Sequence, residues 1–250
     1  MASRLEWLQF ADRTLTKPTT SNSNAGWCAC CRVQTTFVEA GSWLRDQYVC
    51  VHCGSIPRYR AVNLTLDRYF PSWENLAIHE SSPSFDFIQR FCASYSCSHF
   101  FESMPVGTTH QGVRCENLEQ LTFSDEAFDL FITQDVLEHV FRPDLAVREI
   151  MRVLKPGSRH VFTTPKHHDL PVTRQRAARQ GQEVTHLLDP VYHDNPLGGG
   201  ALVTWDYGDD FEALLWRWCG CPTVTYVTRD RAFGLDGEFL EVFVTCKPPA

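Results

Sequence analysis

Five cysteines crowd into the stretch from Cys28 to Cys53: Cys28, Cys30, Cys31, Cys50 and Cys53. The run Cys28-x2-Cys31, then 18 residues, then Cys50-x2-Cys53 lets two tight knuckles present four thiolates to one tetrahedral ion, the spacing of a zinc ribbon. Gly54 supplies the turn that the second knuckle wants. Four thiolates leave no position for water or substrate, so a Zn2+ ion held by Cys28, Cys31, Cys50 and Cys53 is structural. A module of about 30 residues buries too little core to fold alone, and the metal supplies the missing free energy. Cys30 is an alternative ligand to Cys28 or Cys31, and a redox dithiol is the competing reading of the cluster.

A second group of reactive side chains falls in residues 166–200, a stretch too long for a plain connection and suited to a lid or substrate loop. It holds His167, His168, Arg174, Arg176, Arg179, His186, Asp189, Tyr192, His193 and Asp194, then Gly198-Gly199-Gly200 as a hinge. Histidine titrates near neutrality, so His193 with Asp194 beside Tyr192, or else His186, fits a general base acting on a hydroxyl. The arginines suit an anionic substrate such as a phosphorylated or nucleotide-linked sugar. Any one of these residues could equally be an ordinary solvated loop residue.

The elements that must position these groups alternate in type. Residues 1–24 read as an arm and linker, and 25–57 as the cysteine module. The remainder, 58–250, reads as one large domain. From Pro57 an apolar stripe (Ala61, Leu64, Leu66, Tyr69, Phe70) predicts a helix ending at Pro71. Leu76–His79 predicts a strand, Ser84–Cys92 a helix, 93–97 and Phe128–Thr133 strands, and Asp144–Leu154 a helix. Arg159–Thr164 is a further strand and 166–200 reads as irregular. Asp209–Cys219 predicts a helix, and Thr223–Thr228 and Phe239–Cys246 the last strands. Such alternation implies an α/β fold, a mostly parallel sheet covered by helices on both faces.

From Leu118 to Pro165 the text closely resembles class I S-adenosylmethionine-dependent methyltransferases of the small-molecule type. The residues that carry the resemblance are Phe123-Ser124-Asp125-Glu126-Ala127-Phe128-Asp129, Val136-Leu137-Glu138-His139-Val140 and Arg152-Val153-Leu154-Lys155-Pro156-Gly157. The resemblance implies a Rossmann-like methyltransferase sheet whose last strand is antiparallel, behind the small N-terminal zinc ribbon. It also implies a cofactor, S-adenosylmethionine, at the carboxyl ends of the strands. There Glu80, Ser81 and Ser82 fill the acidic and glycine-rich loop, with Ser82 and Ser84 where the family has glycine. Ser98 stands where the family has a ribose-binding acid, Glu116-Asn117-Leu118 fall at the adenine, and Gln134-Asp135 at the methionine end or the substrate. Glu138 and His139 read first as residues that pin the loop after the strand, and second as catalytic.

With 23 Lys+Arg against 30 Asp+Glu the net charge is −7, which counts against a nucleic-acid partner. The arginines of the module and following helix (Arg32, Arg45, Arg58, Arg60, Arg68) read as a solvated face. No apolar run reaches the roughly 18 residues of a membrane span, and Glu6, Asp12 and Arg13 spoil a signal peptide, so the expected location is cytoplasmic. Cys92, Cys97, Cys115, Cys219, Cys221 and Cys246 read as buried thiols. The expected activity is methyl transfer to a small molecule or a glycan or sugar intermediate. The alternatives are a scaffold that keeps the fold without its cofactor, favoured by the serines, and an RNA base methyltransferase, disfavoured by the charge.

Overall fold

The computed structural model describes residues 22–110, 112–194 and 200–250, so most of the expected N-terminal arm lies outside the described residues. The cysteine module is a three-stranded antiparallel sheet of β1 (Ser23–Cys28), β2 (Val33–Glu39) and β3 (Tyr48–Cys50), with a single turn, α1 (Leu44–Gln47), before β3. Helix α2 (Pro57–Tyr69) follows, started by a proline at its first position, buried from Tyr59 to Leu66 and exposed over its last three residues.

The large domain continues with β4 (Ile78–Ser81), β5 (Tyr95–His99), β6 (Thr109–His110), β7 (Val113–Cys115), β8 (Phe128–Gln134), α3 (Pro143–Val153) and β9 (Leu154–Thr163). Then come β10 (Arg174–Gln175), β11 (Ala177–Gln180), β12 (Glu183–His186), β13 (Tyr192–Asp194), β14 (Gly200–Leu202) and β15 (Trp205–Asp206). The chain finishes with α4 (Phe211–Cys219), β16 (Thr223–Tyr226) and β17 (Val242–Cys246). The eight-stranded sheet has the order β16-β17-β9-β8-β4-β5-β7-β6. Strands β9, β8, β4, β5 and β7 run parallel, and β17 lies antiparallel between β9 and β16.

Side-chain alternation along the central strands divides the core. Leu130 and Ile132 of β8 pack with Val62 and Leu66 of α2 on one face. Phe131 between them, with Phe162 of β9, packs on the other face against Ala146, Val147 and Ile150 of α3 and Phe211 and Leu215 of α4. Strand order reverses between β4 and β8, so the carboxyl ends of these two strands frame the crevice where such sheets bind ligands.

Three expectations about the elements are corrected. Ser84–Cys92 forms turns instead of a helix, with separate backbone bonds such as Arg90 N–H to the Asp86 carbonyl at 3.0 Å. Phe87 is drawn to the cysteine module while Ile88 and Cys92 join the α2 core, and one helical stripe cannot serve both. Residues 166–200 are not irregular: β11 pairs with β12, β13 with β14, and β10 with β15. The unread signal was Gly181 in a two-residue turn at φ +62°, between flanks that pair as strands. The first two parallel strands also run later than expected, so Glu80, Ser81 and Ser98 are strand residues, not loop residues.

Of the arginines expected on a solvated face, Arg68 is exposed, but Arg45 and Arg60 are buried and Arg32 and Arg58 are partly so. Arg60 is wholly buried; it donates to the carbonyls of Tyr48 at 2.6 Å, Gly234 at 2.7 Å and Ser55, and lies over the Phe37 ring. It joins the module, α2 and the loop before β17 in one step. Arg60→Met is expected to leave these buried carbonyls without a donor and to lower unfolding stability by at least about 3 kcal/mol; denaturant unfolding checks it.

Candidate functional site

The cysteine centre is built from two matching turns. The Arg32 N–H donates to the Cys28 carbonyl at 2.7 Å and the Gly54 N–H to the Cys50 carbonyl at 2.8 Å, with Arg32 at φ +55° and Gly54 at φ +72°. Glycine takes that conformation freely; Arg32 is held in it by ion pairs to Asp67 at 2.8 Å and Glu74 at 2.7 Å. The Sγ atoms of Cys28, Cys31, Cys50 and Cys53 all lie within 4.8 Å of one another. Cys28 and Cys53 are 3.7 Å apart, and Cys31 and Cys50 4.0 Å. A zinc ion with bonds of about 2.3 Å needs sulfur separations of about 3.8 Å, so the four residues fit it. Cys30 is buried beside the cluster and is not one of the four.

The carboxyl ends of β4, β5, β7 and β8 bring together the residues expected at a cofactor. Ser82 adopts φ +55°, the left-handed turn a glycine would make there, and its N–H is taken by the Ser98 carbonyl at 2.7 Å. Glu80 is buried, accepting from the Tyr95 hydroxyl at 2.8 Å and the Gln134 amide at 2.8 Å. Burial pushes its carboxyl up from 4.5 to about 7, with these two hydrogen bonds pulling the other way. The Ser98 hydroxyl meets His79 Nε2 at 3.0 Å, inward from the strand end. Glu116 takes the Arg114 guanidinium at 2.6 Å and the Thr122 N–H at 2.9 Å, fixing the loop in which the Asn117 side chain accepts from the Glu119 N–H and Leu118 is buried under α3.

Asp135 stands at φ +52° just past β8. Its carboxylate pairs with Arg45 of α1 and with Arg58 of α2 at 3.2 Å, and accepts from the Thr163 hydroxyl at 2.8 Å. Burial works against ionisation here, but the two guanidinium groups overcome it and hold the group well below the usual carboxylate range. Sequence reasoning missed both arginines. The available signal was Arg58 in the first turn of α2, where a positive charge opposes the helix dipole unless an anion faces it.

Beyond Asp135 the chain makes one 3-10 turn, Leu137–His139, and the insertion after β9 returns to it. Thr204 donates its N–H to the Glu138 carbonyl at 2.7 Å, and His139 Nδ1 lies 2.8 Å from the Leu202 carbonyl. Glu138 is 1% exposed; one carboxylate oxygen accepts from Thr164 at 2.9 Å and the other, Oε1, has no hydrogen-bond partner among the described residues. His139 Nε2 is 3.8 Å and His193 Nδ1 3.9 Å from Oε1, and the two rings meet edge to face at 5.1 Å. So Glu138 and His139 do pin the loop, but the carboxylate beside His193 is Glu138. The Asp194 side chain and Gly198-Gly199 lie outside the described residues. Tyr192 is exposed next to His193, while His186 is exposed on the separate β11–β12 hairpin. A cavity of about 310 Å³, lined by His167, His168, Arg229, Glu238 and Glu241 among others, opens beyond the carboxyl end of β9.

The sequence profile of a methyltransferase domain matches residues 84–162, from the loop after β4 to the end of β9. No curated protein gives a significant match. Among solved structures, an S-adenosylmethionine-dependent methyltransferase from Mesorhizobium loti aligns over 74% of this chain and 97% of its own, at 16% identity and a TM-score of 0.47. The Burkholderia thailandensis 1,6-didemethyltoxoflavin-N1-methyltransferase aligns over 75% of this chain and 76% of its own, at 12% identity and a TM-score of 0.47. A chain from the complex of the Haloferax volcanii Trm112 methyltransferase activator with a methyltransferase aligns over 76% and 90%, at 12% identity and a TM-score of 0.46. The profile match thus lies on a mostly parallel sheet that an antiparallel last strand enters, and this part of the chain is similar to a methyltransferase domain.

Proposed function

We propose that this chain methylates a hydroxyl of a small polar acceptor, such as a sugar or glycan intermediate. The observation that carries the reading is the meeting of Glu138, His139 and His193 at the carboxyl end of β8, brought about by the insertion after β9. That is where the acceptor must stand when a ligand occupies the switch point between β4 and β8. The cavity beyond β9 supports an acceptor of modest size and polar surface, since most of its lining residues are charged or imidazole side chains.

Two features support S-adenosylmethionine at the strand ends. Ser82 keeps the left-handed turn of the glycine-rich loop. Arg58 Nε and Gln134 Oε1 are buried without partners among the described residues, a donor and an acceptor suited to the carboxylate and ammonium of an amino-acid moiety. When bound, the cofactor supplies a methyl group on a sulfonium. Arg58 and Gln134 would hold its amino-acid end, Ser82 the turn beneath it, and Glu138 with the two histidines the acceptor. The scaffold reading has its own support, because Glu80, Ser98 and Asp135 already have partners within the chain. We further propose that the four-cysteine centre holds one structural Zn2+.

Calorimetric titration with S-adenosylmethionine is expected to give saturable binding of one equivalent; folded protein that gives no heat at millimolar cofactor favours the scaffold. His193→Ala is expected to lower the transfer rate roughly 10²–10⁴-fold with cofactor affinity unchanged, read from single-turnover kinetics and calorimetry. Metal analysis of Cys50→Ser should show the loss of one zinc per chain, and equal zinc in both proteins removes the assignment.

Glu80 sets a pH dependence. The groups facing it are Tyr95 and Cys97 of β5 and Gln134 of β8. Its carboxyl ionises near 7 when folded and near the ordinary 4.5 when unfolded, so between these values the folded chain keeps a proton the unfolded chain has lost. Stability therefore falls as pH rises through that window, by up to about 3 kcal/mol. Glu80→Gln is expected to flatten this part of the stability profile, measured by denaturation at several pH values.

A further inference from the structure

We infer that Glu138, His139 and His193 form a site for a divalent ion of the Zn2+ or Fe2+ class with a coordination position left open. This deepens the proposed function, and depends on it only for the use to which the ion is put. The strongest sign is chemical. The Leu202 carbonyl can only accept, so His139 Nδ1 carries the proton in that 2.8 Å bond and Nε2 presents a bare lone pair. That atom lies 3.8 Å from Glu138 Oε1, which is buried and has no hydrogen-bond partner among the described residues. At that distance the two atoms share no hydrogen bond, which leaves the buried Oε1 unsatisfied among the described residues.

A cation among the three groups gives the buried Oε1 a partner. Bonds of about 2.1 Å in a tetrahedral site put ligand atoms about 3.4 Å apart. The separations here, 3.8 and 3.9 Å, need a few tenths of an ångström of side-chain movement. The supports of a ligand set are also present. Leu202 fixes the His139 tautomer and Thr164 holds the second carboxylate oxygen. The nearby arginines, Arg45 and Arg58, are committed to Asp135. Two imidazoles and one carboxylate on a closed backbone leave room for an oxygen ligand, from water or from the acceptor hydroxyl. Because His193 comes from the β13–β14 hairpin, the ion would also fasten that hairpin to the sheet.

The test uses the full chain as purified, with the cysteine centre loaded, titrated with Co2+. One equivalent is expected to bind with weak visible ligand-field bands and no thiolate-to-cobalt charge-transfer band. His193→Ala, at a half-exposed hairpin position, should lose this equivalent, and Glu138→Gln should weaken it at least tenfold, with both variants melting near the wild-type temperature. Equal cobalt uptake by wild type and His193→Ala, or uptake seen only as a growing charge-transfer band, overturns the site. The cofactor titration is read separately on the same proteins. Cobalt binding without S-adenosylmethionine binding sinks the methyltransferase reading and leaves the metal site standing; the reverse result sinks the metal site alone.

Discussion

The buried carboxylate of Asp135 is the constraint around which the rest is arranged. It sits just past β8 in a left-handed backbone conformation that a non-glycine residue adopts only when its surroundings insist, at a cost of about 1–3 kcal/mol. What insists is a set of partners from three places: Arg45 from the cysteine module, Arg58 from α2 and Thr163 from the end of β9. A carboxylate this deep is tolerable only with its countercharges, and neither arginine would be stable there without it. The turn it enforces directs Gln134 toward Glu80 and sends the chain on to Glu138 and His139. The geometry at Glu80 and Gln134 and that of the turn at Glu138 and His139 both depend on this one residue.

Much of this was legible in the sequence, for identifiable reasons. The grouping of Cys28, Cys31, Cys50 and Cys53 follows from their spacing, because two short knuckles can meet with all four sulfurs on one side. The apolar runs of β8 and β9 and the amphipathic stripe of α3 are local patterns, and they fell within a residue or two of the observed bounds except at the start of β9. The Phe123–Gly157 text carried the fold class. What did not read locally were the choices made by distant partners. Ser84–Cys92 has helix-like spacing, yet Phe87 and Ile88 are claimed by different cores. Arg45, Arg58 and Arg60 look like surface charge until the sheet brings Asp135 and the buried carbonyls to meet them. His193 was legible as a reactive side chain, but its neighbour Glu138 lies 55 residues away and on another element.

The two halves of the sheet are covered differently. The half containing β8, β9 and β17 packs α3 and α4 on one face and α2 on the other. Among the described residues, the connections from β4 to β5 and from β5 to β7 contain no helix. In place of a helix after β4, aromatic side chains form a small cluster, Phe85 stacked on Phe87 at 5.3 Å and both against Tyr59 of α2. The cysteine module thus takes over covering that a crossover helix would provide, and the serine-containing loop after β4 is braced by it.

The first turn of α2 contains no acidic residue and its cap position, Ile56, offers no side-chain acceptor. Arg58 in that turn makes matters worse for the helix taken alone. Asp135, far along the chain, fills the role that a local acidic cap would play. Neither the start of α2 nor the turn after β8 is therefore self-sufficient, and each loses its stabilising charge when the other unravels. The consequence is folding cooperativity: the cysteine module, α2 and the central sheet should melt in a single transition, although the sequence divides them at Pro57 as if they were separable units.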